Sequence, residues 1–126
     1  MAYNFYCLQL KLEQGQEIEV GKKGRVFFPP GYYFYAGQAR RGIRKRLARH
    51  LAGPPKKHWH IDYLSCQALP VGMHLYTEDE GSECDLARAL DEAGGQIILP
   101  GFGSSDCNCP SHLYFFPRAR SIPSLK

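Results

Sequence analysis

Tyr35-Ala36-Gly37-Gln38-Ala39, followed by Arg46-Leu47-Ala48-Arg49-His50, brings residues of definite chemical competence close together along the chain. On an extended strand Tyr33, Tyr35 and Gly37 share one face. On a helix Arg46 and His50 are i, i+4 neighbours beside an apolar stripe of Ile43, Leu47 and Leu51. A tyrosine-bearing sheet face would then meet a helix edge carrying an arginine and a histidine. Cleaving a phosphodiester requires donors for developing negative charge and a group that activates or orients water. These side chains can supply both.

Three further clusters have the right residue types. Glu83 precedes Leu86, Ala87 and Leu90 by three, four and seven residues, so it continues a helical apolar stripe instead of facing solvent. A carboxylate there either holds a metal between helix and sheet or complements the helix dipole. His58, His60 and Asp62 surround Trp59 directly after Lys56-Lys57. In a strand the three would share a face, where they could contact phosphate, orient a catalytic group or brace the core. Cys107-x-Cys109-x₂-His112 carries zinc-ligand types, with Cys84 a candidate fourth ligand. The spacing is not that of a standard zinc knuckle, and the expectation is a tight loop whose thiols pack under the sheet.

The elements that must position these groups follow from periodicity and breakers. Leu8, Leu10 and Leu12 alternate with Gln9 and Lys11, which predicts a half-buried strand. Glu17–Val20 alternates as well, and Gly21-Lys22-Lys23-Gly24 turns the chain into Arg25–Phe28. Pro29-Pro30-Gly31 breaks that run before the aromatic strand Tyr32–Gly37. A hairpin-rich antiparallel sheet is expected from this first third. Gly42–Leu51 reads as a helix stopped by Gly53-Pro54-Pro55. His58–Leu64 is short and of either type. Gln67–Tyr76 reads as a strand weakened by Pro70 and Gly72. Ser82 and Asp85 form a capping-box pattern that opens a helix through about Ala93, closed by Gly94-Gly95. Ile97–Leu99 and Leu113–Phe116 are short apolar runs, and residues 117–126 are expected to be a loose tail. The class is α/β (α+β): one small domain with a mainly antiparallel sheet and two to three packed helices.

With 126 residues, 44% hydrophobic and 22% charged, the chain has room for one core. No apolar run approaches the length needed to span a bilayer, which argues against a membrane partner, and the N-terminus lacks signal-peptide character. A cytoplasmic location is expected. Five cysteines without an export signal argue for free thiols or a metal site over a disulfide framework.

The net charge of +4 conceals a strong asymmetry. Between Glu19 and Asp62 lie 42 residues with no acid, and they hold 11 of the 16 Lys and Arg. The remaining 84 residues carry a net charge of −7. Such polarity points to a polyanionic partner, most often nucleic acid. The candidate contacts are Lys22, Lys23, Arg40, Arg41, Arg44, Lys45, Arg49, Lys56 and Lys57.

Tyr35-Ala36-Gly37 and the Arg46–His50 run together resemble the GIY-YIG nuclease superfamily, most closely its small stand-alone Uri-type branch. Tyr35-Ala36-Gly37 is similar to the YIG half and Arg46 to the family arginine. Position for position, the GIY half falls on Asn4-Phe5-Tyr6, with asparagine in place of the glycine. Gly31-Tyr32-Tyr33 looks like GIY but lies on the same strand as Tyr35, whereas the family divides its tyrosines between strands. The resemblance extends through His58–Leu64, Glu83–Ala87 and Gly101–Cys107, nearly the whole chain.

The resemblance implies a metal-dependent endonuclease acting on nucleic acid, most often DNA, with Mg²⁺ or Mn²⁺ as cofactor. It implies Tyr6 as general base or water-positioning group, Tyr35 as its helper, Arg46 as phosphoryl donor with His50 beside it, and Glu83 as metal ligand. The alternative is a nucleic-acid-binding accessory module without catalysis, which the asparagine at Asn4 favours.

Overall fold

Residues 3–38, 44, 45, 48, 60–104 and 107–125 are described by the structure, a computed structural model. In chain order its elements are β1 (Tyr3–Leu12), β2 (Gln16–Glu19), β3 (Arg25–Phe28), β4 (Gly31–Gln38), α1 (His60–Ser65), β5 (Leu69–Thr77), α2 (Glu83–Glu92) and β6 (Leu113–Phe116). Single 3₁₀ turns occupy Gly21–Lys23 and Glu78–Glu80. The class is α+β.

β1 is the centre of the fold. It pairs antiparallel with β4 on one side and β5 on the other, and β6 extends the sheet in the order β5-β1-β4-β6. Because both its edges are taken, β1 leaves β2 and β3 to form a separate two-stranded ribbon. The expectation of one sheet from the first third is corrected accordingly.

Period-two alternation divides the core between the two faces of the sheet. Tyr6, Leu8, Leu10 and Leu12 of β1 join Tyr33 and Tyr35 of β4, covered by Ile61 and Leu64 of α1 and by Ile18 and Phe28 of the ribbon. Phe5 and Cys7 join Phe34, Ala36 and Tyr76 on the other face, covered by Leu86, Ala87 and Leu90 of α2. β1 is therefore not simply half-buried, because α2 covers the face that the alternation of Gln9 and Lys11 would leave to solvent. Each fully buried leucine contributes about 1.5–3 kcal/mol relative to exposure.

α2 begins as its sequence predicts. Ser82 is the N-cap and accepts from the Asp85 N–H at 3.3 Å, while the Asp85 carboxylate accepts from the Ser82 N–H at 2.9 Å. β5 also forms where expected, and its weak point is visible. Gln9 pairs with Gly72 and Leu10 with Pro70, so Val71 is passed over in a bulge.

Of the two types open for His58–Leu64 the helix forms: His60–Ser65 is helical, so His60 and Asp62, two residues apart and about 200° around the axis, do not share the face a strand would give them. Asp62 is fully buried and His60 only partly. Residues 117–125, expected to be loose, fold back on the α2 face. Tyr76 OH donates to the Pro123 carbonyl at 2.7 Å, an Arg120 guanidinium NH₂ donates to the Ala93 carbonyl at 2.8 Å, and Ile122 and Leu125 pack on the core. The tail supplies apolar residues to a face that α2 alone does not cover.

The helix expected over residues 42–51 falls almost wholly outside the described residues. Arg44, Lys45 and Ala48 are helical and exposed. Ile97–Leu99 forms no strand, but Gln96 makes a single bridge to Phe115. Among the described residues no helix is long and apolar enough to cross a membrane.

Candidate functional site

Tyr6 and Tyr35 stand on neighbouring strands and turn to the same face of the sheet. Their ring centroids lie 6.3 Å apart at an angle of 56°. The cross-strand partner of Tyr6 is Gly37, and the Tyr6 ring lies directly over it. A Cβ built on Gly37 would overlap the Tyr6 ring and come 2.5 Å from its hydroxyl. Glycine is required here for clearance, because the first tyrosine occupies the space a side chain would need.

Tyr35 leads to a second layer. Its ring meets Phe102 edge-on at 6.2 Å and borders Gly103. Gly103 has φ +69°, and a Cβ there would sit 3.0 Å from the Tyr35 ring. The Gly103 N–H donates to His60 Nδ1 at 2.9 Å, and the His60 ring lies 5.5 Å from Phe102. To accept at Nδ1 the imidazole must be neutral. Burial and, secondarily, the positive charge of Lys23 hold its pKa below the ordinary histidine value. Lys23 is anchored by donating to the Pro100 carbonyl at 3.1 Å.

The loop around Phe102 thus ties α1, β4 and the β2–β3 turn into one cluster of Tyr6, Tyr35, His60 and Lys23. Sequence reasoning named each of these residues as a site candidate, and carried Phe102 and Gly103 only as part of the family resemblance, with no place in the site. Their signal was Gly101-Phe102-Gly103, a buried aromatic between two glycines of positive φ.

Tyr33 is a core residue. It is fully buried, packs against Phe28 and Phe115 at 5.8 and 5.0 Å, and donates its hydroxyl to the Pro29 carbonyl at 2.5 Å. It shares β4 with Tyr35, as the reading of Gly31-Tyr32-Tyr33 as a false match requires. Asn4 is the residue passed over where β1 shifts register against β5 between Tyr3 and Phe5, and its amide donates to Glu78 at 3.2 Å.

Glu83 opens α2, whose buried residues pack on the face opposite Tyr6 and Tyr35. It lines a cleft of about 390 Å³ with Asn4, Phe5, Gln38, Glu78, Gly81 and Ser82. The cleft opens where Phe5 pairs with Gln38, one register step from the Tyr6–Gly37 pair. Glu83 and the tyrosines therefore occupy the same end of the sheet on different faces.

Lys22, Lys23, Arg44 and Lys45 are all exposed. Arg40, Arg41, Arg46, Arg49, His50, Lys56, Lys57 and His58 lie outside the described residues.

The cysteine loop departs from expectation. Cys84, in the first turn of α2, meets Cys107, Cys109 and His112, and the four ligand atoms all lie within 4.8 Å of one another. His112 Nε2 is 3.3 Å from Cys107 Sγ and 3.9 Å from Cys84 Sγ. Burial, followed by the neighbouring thiols Cys109 and Cys107, pushes the Cys84 thiol up. Instead of packing separately under the sheet, the thiols converge on one point. Cys84, the candidate fourth ligand named from sequence, comes from a helix 23 residues before Cys107, so the short Cys107–His112 spacing was by itself an incomplete set.

Residues 5–125 match the family described as a domain of unknown function, DUF123. No curated protein and no solved structure matches the chain.

Proposed function

This chain belongs to the DUF123 family, and from its site we propose that it is a metal-dependent endonuclease hydrolysing phosphodiester bonds in nucleic acid, with DNA the favoured substrate. The observation that carries this reading is the Tyr6–Gly37–Tyr35 arrangement. Two tyrosines on adjacent strands face one way, and the glycine between them is required by the first ring. That arrangement supports the GIY-YIG resemblance, from which Asn4 departs.

In this reading Tyr6 positions or activates the attacking water, and Tyr35 fixes its orientation. Arg46 donates to the phosphoryl oxygens as charge develops, with His50 on the same helix edge. His60, held neutral by burial and by Lys23 and accepting from Gly103 at Nδ1, offers its Nε2–H as an uncharged donor beside the phosphate rather than a second cation. Lys22, Lys23, Arg44 and Lys45 hold the backbone, together with Arg40, Arg41, Arg49, Lys56 and Lys57.

A hard divalent cation would be held in the cleft at Glu83, where Glu83 and Glu78 would offer carboxylates and Asn4 and Gln38 amide oxygens, since Mg²⁺ is commonly held by one or two carboxylates with water. Bound there, Mg²⁺ or Mn²⁺ would stabilise charge on the leaving oxygen.

A second reading, an accessory module that binds nucleic acid without cutting it, is favoured by the position of the α2 carboxylate across the sheet from the tyrosines. Incubating purified protein with supercoiled plasmid and Mg²⁺ or Mn²⁺ separates the two. Nicking supports the nuclease. Retardation of the plasmid without nicking under either metal supports the module.

A further inference from the structure

Cys84, Cys107, Cys109 and His112 are absorbed by neither reading of the site, and they form a complete ligand set. We propose that these four residues bind one zinc ion, whose role is to staple the loop between residues 101 and 112 to the first turn of α2. The proposal does not depend on nuclease activity.

The geometry supports it in three ways. First, zinc–sulfur bonds of about 2.3 Å and zinc–nitrogen bonds of about 2.0–2.1 Å set tetrahedral ligand atoms roughly 3.5–3.8 Å apart. The observed Cys107–His112 and Cys84–His112 separations of 3.3 and 3.9 Å bracket that range, and no pair in the set exceeds 4.8 Å. Small side-chain movements close the site. Second, three thiolates and an imidazole are soft and borderline donors, which select zinc over magnesium or calcium. Four protein ligands also leave no open position, which marks a structural site.

Third, the surroundings are built to hold the set. His112 is almost fully buried, and its backbone carbonyl accepts from the Ala36 N–H at 2.9 Å, which fixes the residue beside β4 with Nε2 turned to the sulfurs. The neck of the loop is closed by the Gly101 N–H donating to the Pro110 carbonyl at 2.7 Å and the His112 N–H donating to the Phe102 carbonyl at 2.8 Å. Cys84 and Cys109 line a cleft of about 510 Å³ beside α2, which gives the ion a way in. Cys7 and Cys66 are not part of the cluster, so the convergence is specific to three of the five thiols.

The decisive experiment uses the full chain, purified under reducing conditions without chelator from zinc-supplemented culture. Elemental analysis should find one zinc per chain, and Cys66→Ser should retain it. Cys109→Ser and Cys107→Ser should each lose most of the metal. Those variants could also lose zinc by failing to fold, so the wild-type apoprotein provides an independent measurement. Titrated with Co²⁺, it should develop the visible bands of a tetrahedral centre and a near-ultraviolet sulfur-to-metal transition, saturating at one equivalent and displaced by Zn²⁺. Substoichiometric zinc together with a cobalt spectrum lacking those bands would overturn the proposal. So would Cys107→Ser and Cys109→Ser binding the metal as tightly as wild type, or a disulfide among these thiols that persists through purification under reducing conditions.

Discussion

The ring of Tyr6 lies across the backbone of Gly37, its antiparallel partner, so the two residues are complementary in volume. Gly37→Ala should therefore force the tyrosine aside, at a cost of about 1–3 kcal/mol for overpacking a close-packed site. Tyr6→Ala leaves a void at the same place. The double variant should be more stable than the sum of the single effects by roughly 0.5–3 kcal/mol, since each change relieves the other. Chemical denaturation of the four proteins measures this coupling, and strict additivity would mean the contact has no energetic weight.

The cleavage chemistry makes a sharper demand. Tyr6→Phe and Arg46→Ala should each lower Mg²⁺-dependent nicking by about 10²-fold or more while leaving plasmid binding nearly unchanged, because both groups act on the transition state. Glu83→Gln should behave likewise if the cleft holds the metal. Tyr33→Phe removes a buried hydrogen bond worth about 1 kcal/mol, yet should leave nicking intact. Circular dichroism confirms that each variant is folded. A Glu83→Gln protein that cuts as fast as wild type would move the metal assignment to Glu78, across the same cleft.

Binding should depend steeply on salt. If several of the basic residues between Lys22 and Lys57 contact phosphates, affinity for generic duplex should fall on the order of 10³-fold between about 50 and 200 mM salt. Lys23→Ala and Arg44→Ala should each shallow the slope of log affinity against log salt by about one unit, with less effect on the cutting step. Fluorescence anisotropy over a salt series reads both quantities, and a flat slope in wild type rules out a phosphate-gripping face.

Stability should also depend on pH through His60. Unfolding lets this histidine take up a proton at its ordinary value of 6.5, whereas in the folded chain burial and Lys23 keep the ring neutral to lower pH. The stability contributed by the neutral, Gly103-bonded ring is complete above pH 6.5 and is lost as pH falls toward the depressed folded value. Thermal melts from about pH 7 down to about pH 5 should show a falling Tm, with a shallower slope for His60→Asn, whose side-chain oxygen can still accept from Gly103.

Elements governed by local chemistry were legible before any coordinates. The Ser82–Asp85 capping box fixes where α2 starts, and the alternation of Leu8, Leu10 and Leu12 fixes which way β1 faces. Assigning Tyr6 and Tyr35 to different strands also held, because Pro29-Pro30 separates β3 from β4 and leaves Tyr33 and Tyr35 on one strand. What escaped the sequence was set by long-range packing. His58–Leu64 is too short for periodicity to decide, and only burial of Ile61 and Leu64 against β1 and β4 makes His60–Ser65 a helix. The tail looks loose by composition, yet Tyr76 and Phe116 provide contacts for Pro123 and Arg120. Likewise, Cys84 was nameable as a candidate partner of Cys107, Cys109 and His112, but only the packing of α2 beside the loop brings the four together.

The break in β5 matters beyond the fold that contains it. β5 is an outer strand, and a nine-residue outer strand bearing the half-exposed Leu69 and Val71 would ordinarily invite another chain to add alongside it. Pro70 removes one donor from that edge, and the bulge at Val71 puts the remaining groups out of step. The opposite outer strand, β6, is only four residues long. The four-stranded sheet thus has little flat edge through which copies of this chain could polymerise.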